Sequence, residues 1–312
     1  MNNLLHRPVL INETIECLNV RDKLTYVDAT FGCGGYTKKI LEKANCKVIS
    51  LDRDPDVKSL ADDIKKTYKN RFDFILAEFS NIKIALEKKG LNIISGGLVA
   101  DLGLSSMQIN NCARGFSFMQ NGPLDMRMSK KGPTAEEILN SFEENELSKI
   151  FWQYGEEKNS RKLASVIVKE RKLKPLCTTF ELVEIVTKVV RKKKKLKIHP
   201  ATKVFQALRI YLNKELYELE KLITNVEKLL IPGARLAIVS FHSLEDRIVK
   251  VLFNKLSGNI ANANRHLPLD VNKDKFYFKK ISRKAIKPKK LEIIENKKAR
   301  SAKLRVLERL DN

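Results

Sequence analysis

Residues Tyr26 to Leu41 read YVDATFGCGGYTKKIL, and Lys47 to Asp54 read KVISLDRD. The first stretch is an apolar strand that delivers Asp28 to its end, then a turn with Gly32, Gly34 and Gly35, then a helix start. Glycine lets a backbone turn tightly and approach a ligand without a Cβ in the way. Asp52 ends the next apolar strand, twenty residues after Gly32, where a carboxylate accepts hydrogen bonds from the hydroxyls of a ribose. The pattern is that of an α/β nucleoside-cofactor domain. A dinucleotide fingerprint, G-x-G-x-x-G, requires a third glycine for close packing beside a pyrophosphate, and Thr37 stands there instead. Adjacent Gly34 and Gly35 after Asp28 favour S-adenosylmethionine, which has no phosphate: helix amides suit its carboxylate and an acid suits its ammonium group.

The alternation continues beyond Asp54. A helix over Val57 to Lys66, a strand over Phe72 to Ala77, a short helix over Ile82 to Lys88 and a strand over Gly97 to Asp101 are expected. Ligands of open parallel sheets sit outside the carboxyl ends of the strands, so Asp28, Asp52, the Glu78-Phe79 pair and Asp101 are expected on one rim. The rhythm then changes. From 110 to 198 no strand pattern stands out, while Thr134/Glu137 and Thr178/Glu181 form T-x-x-E capping boxes ahead of apolar runs. We therefore expect a methyltransferase-type sheet domain in two parts, 1–109 and 199–312, around a helical substrate-recognition insertion at 110–198. A long helix carrying Phe205, Leu208, Leu212, Leu216, Leu219, Ile223, Val226 and Leu230 at three- and four-residue spacing is expected next. Pro232 and Gly233 stop it, a fifth strand runs Arg235 to Phe241, and Ser243 to Asp246 opens another helix.

With 60 basic and 37 acidic residues, the formal charge is +23, a surplus that suits a polyanionic partner. The basic residues cluster in Arg191 to Lys197, Lys279 to Lys290 and Asn296 to Arg305. Each run read singly is compatible with a solvated loop; three together favour phosphate contacts, with steep salt dependence. The stretch from 258 to 290 reads as a basic flap. The five cysteines are scattered, without C-x-x-C spacing, so neither a zinc site nor a disulfide framework is expected. No run reaches the length of a membrane span and the first residues lack a signal-peptide pattern; a soluble cytoplasmic protein needing no metal is expected.

Methyl transfer from a sulfonium requires a nucleophile aligned with the methyl group, a task of positioning. None of the five cysteines follows Pro or Thr, which argues against attack at carbon five of a pyrimidine. The D/N/S-P-P-aromatic segment of DNA amino-methyltransferases is absent too. The residues alone lead to a methyltransferase with a nucleic-acid substrate; a nicotinamide oxidoreductase and a non-catalytic ribosome-assembly factor are the alternatives.

Six segments go further: HRPVLINE from His6, VDATFGCGGYT from Val27, DLGLSSMQINNCARGFSFMQNGPLDMRM from Asp101, HPATKVFQALRIYLNKEL from His199, SFHSLEDRIVK from Ser240 and ARSAKLRVLER from Ala299. Together they resemble the MraW/RsmH family of small-subunit (16S) ribosomal RNA cytosine N4-methyltransferases. The resemblance implies a Rossmann-like class I methyltransferase sheet with an inserted all-helical domain. It also implies methylation of the exocyclic amine of a decoding-centre cytosine, in ribosomal RNA or in an assembled small subunit. Carried onto this sequence, Gly34, Gly35 and Tyr36 would contact the methionine end of S-adenosylmethionine, Asp52 the ribose and Phe79 the adenine, with Asp101 and Gln108 completing the pocket. The family usually has histidine at Tyr36, and Met107 and Asn110 replace its usual proline and aspartate around Gln108. Asp125 and Arg127 are expected either beside the target base or as an ion pair locking their loop. His242 is either a catalytic group or a structural hydrogen-bonder. Arg127, Arg209, Arg247 and Arg300 are candidate RNA contacts, with surface or packing roles competing for Arg209 and Arg247.

Overall fold

The computed structural model describes residues 8–190, 199–258 and 276–311. The run 191–197 and most of the expected flap, 259–275, lie outside the described residues. The chain forms two compact units, one of Met1–Gly103 with Leu216–Asn312 and one of Leu104–Glu215. The sequence-based borders at 110 and 198 both fall inside the second unit.

The first unit opens with α1 (Ile11–Leu18), then β1 (Thr25–Asp28), α2 (Gly35–Lys43), β2 (Lys47–Asp52), α3 (Lys58–Tyr68), β3 (Phe72–Leu76), α4 (Ile82–Glu87) and β4 (Gly97–Asp101). The second unit follows with α5 (Ser106–Asn110), α6 (Ala135–Ser141), α7 (Glu144–Gly155), α8 (Ser160–Leu173), α9 (Thr179–Val189) and α10 (Ala201–Leu212). The chain returns to the first unit through α11 (Glu215–Glu227), β5 (Arg235–Ser240), α12 (Ser243–Leu256), β6 (Phe278–Lys280), α13 (Lys290–Glu295) and β7 (Lys303–Arg309).

The sheet order is β3-β2-β1-β4-β5-β7-β6. The first five strands are mutually parallel and β7 runs antiparallel to β5 and to β6. This is the Rossmann-like class I methyltransferase sheet expected from the sequence. Successive strand residues face opposite sides, so the near-continuous apolar strands feed two cores. Val27, Ile49, Leu51, Leu98, Leu236 and Ile238 pack with α4, α11 and α12. Tyr26, Val48, Val99, Ala237, Leu304 and Val306 pack with α1, α2 and α3.

Two expectations need correcting. The single long helix is two helices, because Asn213 ends α10 and Lys214 adopts φ 51°, a left-handed conformation costly for a side-chain-bearing residue. The break is held from outside the helix. The buried Asn213 side chain accepts from the Met128 N–H at 2.7 Å and donates to the Met126 carbonyl at 2.8 Å. Apolar periodicity runs straight through the site of this clasp. The second correction is β7, whose residues 303–305 read as part of a basic run. Its Leu304, Val306 and Leu307 are buried, and it occupies the place between β5 and β6.

Among its described residues the second unit has helices as its regular elements, with a non-helical stretch over 115–133 that makes one isolated bridge, Pro123 to Thr178. Both expected capping boxes are present: Thr134 and Thr178 accept from the N–H of Glu137 and Glu181, whose side chains accept in return. Its core gathers Phe151, Leu163, Leu182, Val186, Val204 and Leu208 among others.

Candidate functional site

Asp28, Asp52 and Asp101 stand at the carboxyl ends of three adjacent parallel strands, β1, β2 and β4. The turn after β1 ties them together. Asp28 is fully buried; its Oδ1 accepts from the Thr30 N–H at 3.1 Å and its Oδ2 from the Thr37 hydroxyl at 2.7 Å. Thr37 also lies 2.6 Å from the Ser50 hydroxyl. The residue that breaks the dinucleotide fingerprint is thus the one that fixes the first acid. Thr30 continues the chain of contacts, accepting from the Asp101 N–H at 2.7 Å. Asp52 accepts from the Gly32 N–H at 2.7 Å and from the Asp54 N–H at 2.9 Å, so the second strand's acid grips the glycine turn directly.

No cation pairs with any of these three carboxylates among the described residues. Burial accordingly pushes Asp28 and Asp52 up to about 6 each, against the hydrogen bonds that favour their charged forms. Asp101 is pushed well above the usual carboxylate range by burial, and the charges of Asp28 and Glu245 add to the shift. Its Oδ1 is buried and has no hydrogen-bond partner among the described residues. A buried acceptor left unpaired costs about 1–3 kcal/mol, which fits a place kept for a ligand's donor.

The glycines serve packing as much as approach. Gly34 has φ 75°, and a Cβ there would lie 2.5 Å from Ile64 Cδ1. A Cβ on Gly35 would collide with the Pro8 ring. These contacts let α2 begin at the strand end with its first amides, which have no intrahelical acceptor, beside the acids. Tyr36 is buried, and its hydroxyl donates to the Val9 carbonyl. The side chain is thereby tied to the segment before α1. Phe79 follows β3 and is half-buried against the α4/α11 core. Beside it, Glu78 takes an ion pair from Arg53 at 2.7 Å.

His242 is the N-cap of α12. Its Nδ1 accepts from the Glu245 N–H at 3.3 Å, while the Glu245 carboxylate accepts from the N–H groups of Phe241 and His242. The imidazole Nε2 lies 3.1 Å from Glu245 Oε1. Arg247 on α12 and Arg300 after α13 are exposed.

The remaining expected residues belong to the second unit. Gln108 is buried in a capping box, its Oε1 accepting from the Ser105 N–H at 3.0 Å and its own N–H donating to Ser105 Oγ at 3.2 Å. Asp125 and Arg127 form an ion pair: Arg127 Nε reaches both carboxylate oxygens, at 3.2 and 3.1 Å, and a terminal guanidinium nitrogen reaches Oδ2 at 2.6 Å. Between them the fully buried Met126 has φ 57°, a strained conformation that persists only where surroundings enforce it. Enforcement comes from Arg114, which donates to the carbonyls of Arg127 and Met128, and from the Asn213 clasp. Arg209 is committed to Glu215 at 2.7 Å. Sequence reading missed Thr30, Thr37, Arg114 and Asn213, whose partners lie far away along the chain or inside a turn.

The sequence profile of the MraW methylase family matches residues 3–310. The chain belongs to the MraW methylase family. Three relatives named ribosomal RNA small subunit methyltransferase H are similar over nearly the whole length. The one from Rickettsia bellii (strain RML369-C) is 46% identical, covering 98% of this chain and 99% of its own. That from Ehrlichia canis is 45% identical, covering 97% and 99%, and that from Parvibaculum lavamentivorans 43%, covering 97% and 89%. Asp28, Asp101, the glycine turn and the Asp125–Arg127 loop described above lie in the segments on which the resemblance rests, whereas Asp52 lies between them. Among the described residues no helix is long and apolar enough to cross a membrane.

Proposed function

We propose that this MraW methylase transfers a methyl group from S-adenosylmethionine to small-subunit ribosomal RNA, at the N4 amine of a decoding-centre cytosine. The observation that carries the cofactor reading is the unpaired, buried Oδ1 of Asp101 on a rim that also holds Asp52 and the first amides of α2. These groups match the parts of the cofactor: amides for its carboxylate, Asp52 for the ribose hydroxyls, Phe79 for the adenine face and Asp101 for a donor. When bound, S-adenosylmethionine supplies an electrophilic methyl group on a sulfonium. The relatives' shared name and the charge of +23 support an RNA substrate, and the family resemblance supports the cytosine amine.

The protein's part in such a transfer is orientation. In this reading Asp125 of the second unit and His242 of the first are the candidate catalytic groups, each fixed in direction by its partner, Arg127 and Glu245 respectively. Gln108 steadies the segment after β4, and Arg247 and Arg300 take backbone phosphates. The whole proposal is tested by incubating the protein with methyl-labelled S-adenosylmethionine and undermodified small subunits, then digesting the RNA. Label in N4-methylcytidine is expected; label in another nucleoside, or in protein alone, would overturn the stated reaction.

A further inference from the structure

A second charged cluster lies on the α12-covered face of the sheet's antiparallel edge. Asp246, Lys250 and Asn254 recur every four residues of α12 and so share one side of it. Opposite them, β7 presents Lys303 and Arg305, and β6 presents Lys280, whose register partner Leu307 points to the same face. Asp246 takes Lys303 at 2.7 Å and Arg305 at 2.7 Å. Among the described residues Lys280 has only a neutral acceptor, the Asn254 carboxamide oxygen at 2.5 Å. Lys250 is exposed and has no hydrogen bond or ion pair among the described residues. The other nearby carboxylate, Glu308, is taken by Arg235 and Lys279. Among the described residues, four cations thus share the charge of one carboxylate.

We infer that Lys250, Lys280 and Arg305 form an anion site for the phosphodiester backbone of RNA, separate from the cofactor rim. The inference rests on the RNA-methylating function proposed above and adds to it a place of contact. Like charges brought together destabilise a fold unless something else neutralises them. Burial, then the charges of Arg305 and Lys250, hold the Lys280 ammonium below the usual lysine range, so the folded protein tolerates this cation at a cost. Asp246 explains the presence of Lys303 and Arg305 but leaves Lys250 and Lys280 unexplained. A phosphate group accounts for both, because it accepts from ammonium and guanidinium donors together. The wide grouping, on a helix and two strands instead of one mobile loop, presents the donors as a fixed surface.

The test uses the opposite signs expected for folding and for binding. In the full-length chain, Lys250→Gln, Lys280→Gln and the double variant are compared with wild type and with Lys66→Gln, a charge-matched control at an exposed lysine on α3. Affinity for undermodified small subunits is measured across salt concentrations, with thermal midpoint and S-adenosylmethionine affinity in parallel. Each site variant is expected to weaken RNA binding roughly five-fold at low salt and to reduce the salt slope by about one. Its midpoint stays level or rises, its cofactor affinity is unchanged, and the control binds RNA as wild type does. Site variants that bind with unchanged slope while wild type still methylates the RNA would overturn this inference alone. A midpoint that falls in step with affinity would show the lysines to be structural, again overturning it. Wild type that neither binds nor labels RNA would remove the functional proposal and this inference together.

Discussion

The acids of the sheet rim and the acid of the Asp125 loop have received opposite treatment. Among the described residues, Asp28 and Asp52 have only backbone N–H groups and a hydroxyl as partners and Asp101 Oδ1 has none, and burial drives all three toward the neutral form. Asp125 is met by a guanidinium reaching both its oxygens. The difference separates two uses of a carboxylate. An acid already neutralised by the protein is spent on local geometry: Asp125 holds the backbone N–H and the guanidinium of Arg127. Acids left without a cation retain acceptor capacity that a ligand can use, at the expense of stability.

The comparison breaks most severely at Asp52. Replacing it with alanine removes the ribose acceptor and frees the glycine turn; S-adenosylmethionine affinity by calorimetry should fall about 100-fold or more, near 3 kcal/mol. An affinity within a few-fold of wild type would remove Asp52 from the site. On the loop side, Asn213→Ala leaves the Met128 N–H and the Met126 carbonyl without their buried partner. Denaturant unfolding should show a loss of about 2–3 kcal/mol, whereas a loss below half of that would mean the clasp does not hold the loop.

A smaller effect is expected within the ion pair, whose members keep 25% and 19% of their side-chain surface exposed. A double-mutant cycle of Asp125→Asn and Arg127→Met should give a coupling of about 1–2 kcal/mol. Additive single effects would show that the pair does not act as a unit. The smallest change, and the one of opposite sign, is Asp101→Asn. An acid whose folded pKa is raised gives its greatest stability while protonated and loses it as pH rises from the ordinary carboxylate range through the folded pKa. The variant should therefore match wild type in thermal midpoint at low pH and exceed it increasingly toward neutrality, while binding S-adenosylmethionine more weakly. A midpoint advantage that shrank as pH rose would contradict the rim's electrostatics.

Much of this was legible in the residues. The run from Tyr26 to Asp54 carries its strands, its turn and its terminal acids within a short length, and local periodicity is what sequence displays best. The capping boxes at Thr134 and Thr178 were legible for the same reason. What escaped depends on distant partners. Asn213 breaks a continuous apolar stripe because residues 126 and 128 need its amide, and nothing around residue 213 announces that. Tyr36 spends its hydroxyl on Val9, a backbone carbonyl with no signature. The strand from Lys303 to Arg309 hid behind its charges, although Leu304 and Val306 alternate with Lys303 and Arg305 in a strand's period of two. The site was readable as a set of acids on a rim; which of them the protein neutralises was not.

The position of β7 between β5 and β6 also bears on how the protein is made. Strand β4 ends at residue 101 and its neighbour β5 begins at residue 235, so at about 5–20 residues per second the ribosome needs on the order of ten seconds to supply the missing partner. During that interval the nascent sheet presents β4 as an open edge, the kind of surface that pairs with other chains. The intervening unit, contiguous in sequence, is free to fold on its own contacts meanwhile. Completion is later still, since β7, the strand that joins β5 to β6, follows both of them in the chain. Without β7 both of those strands would lack the partner that joins them, so a closed sheet waits on a strand made after both of its neighbours.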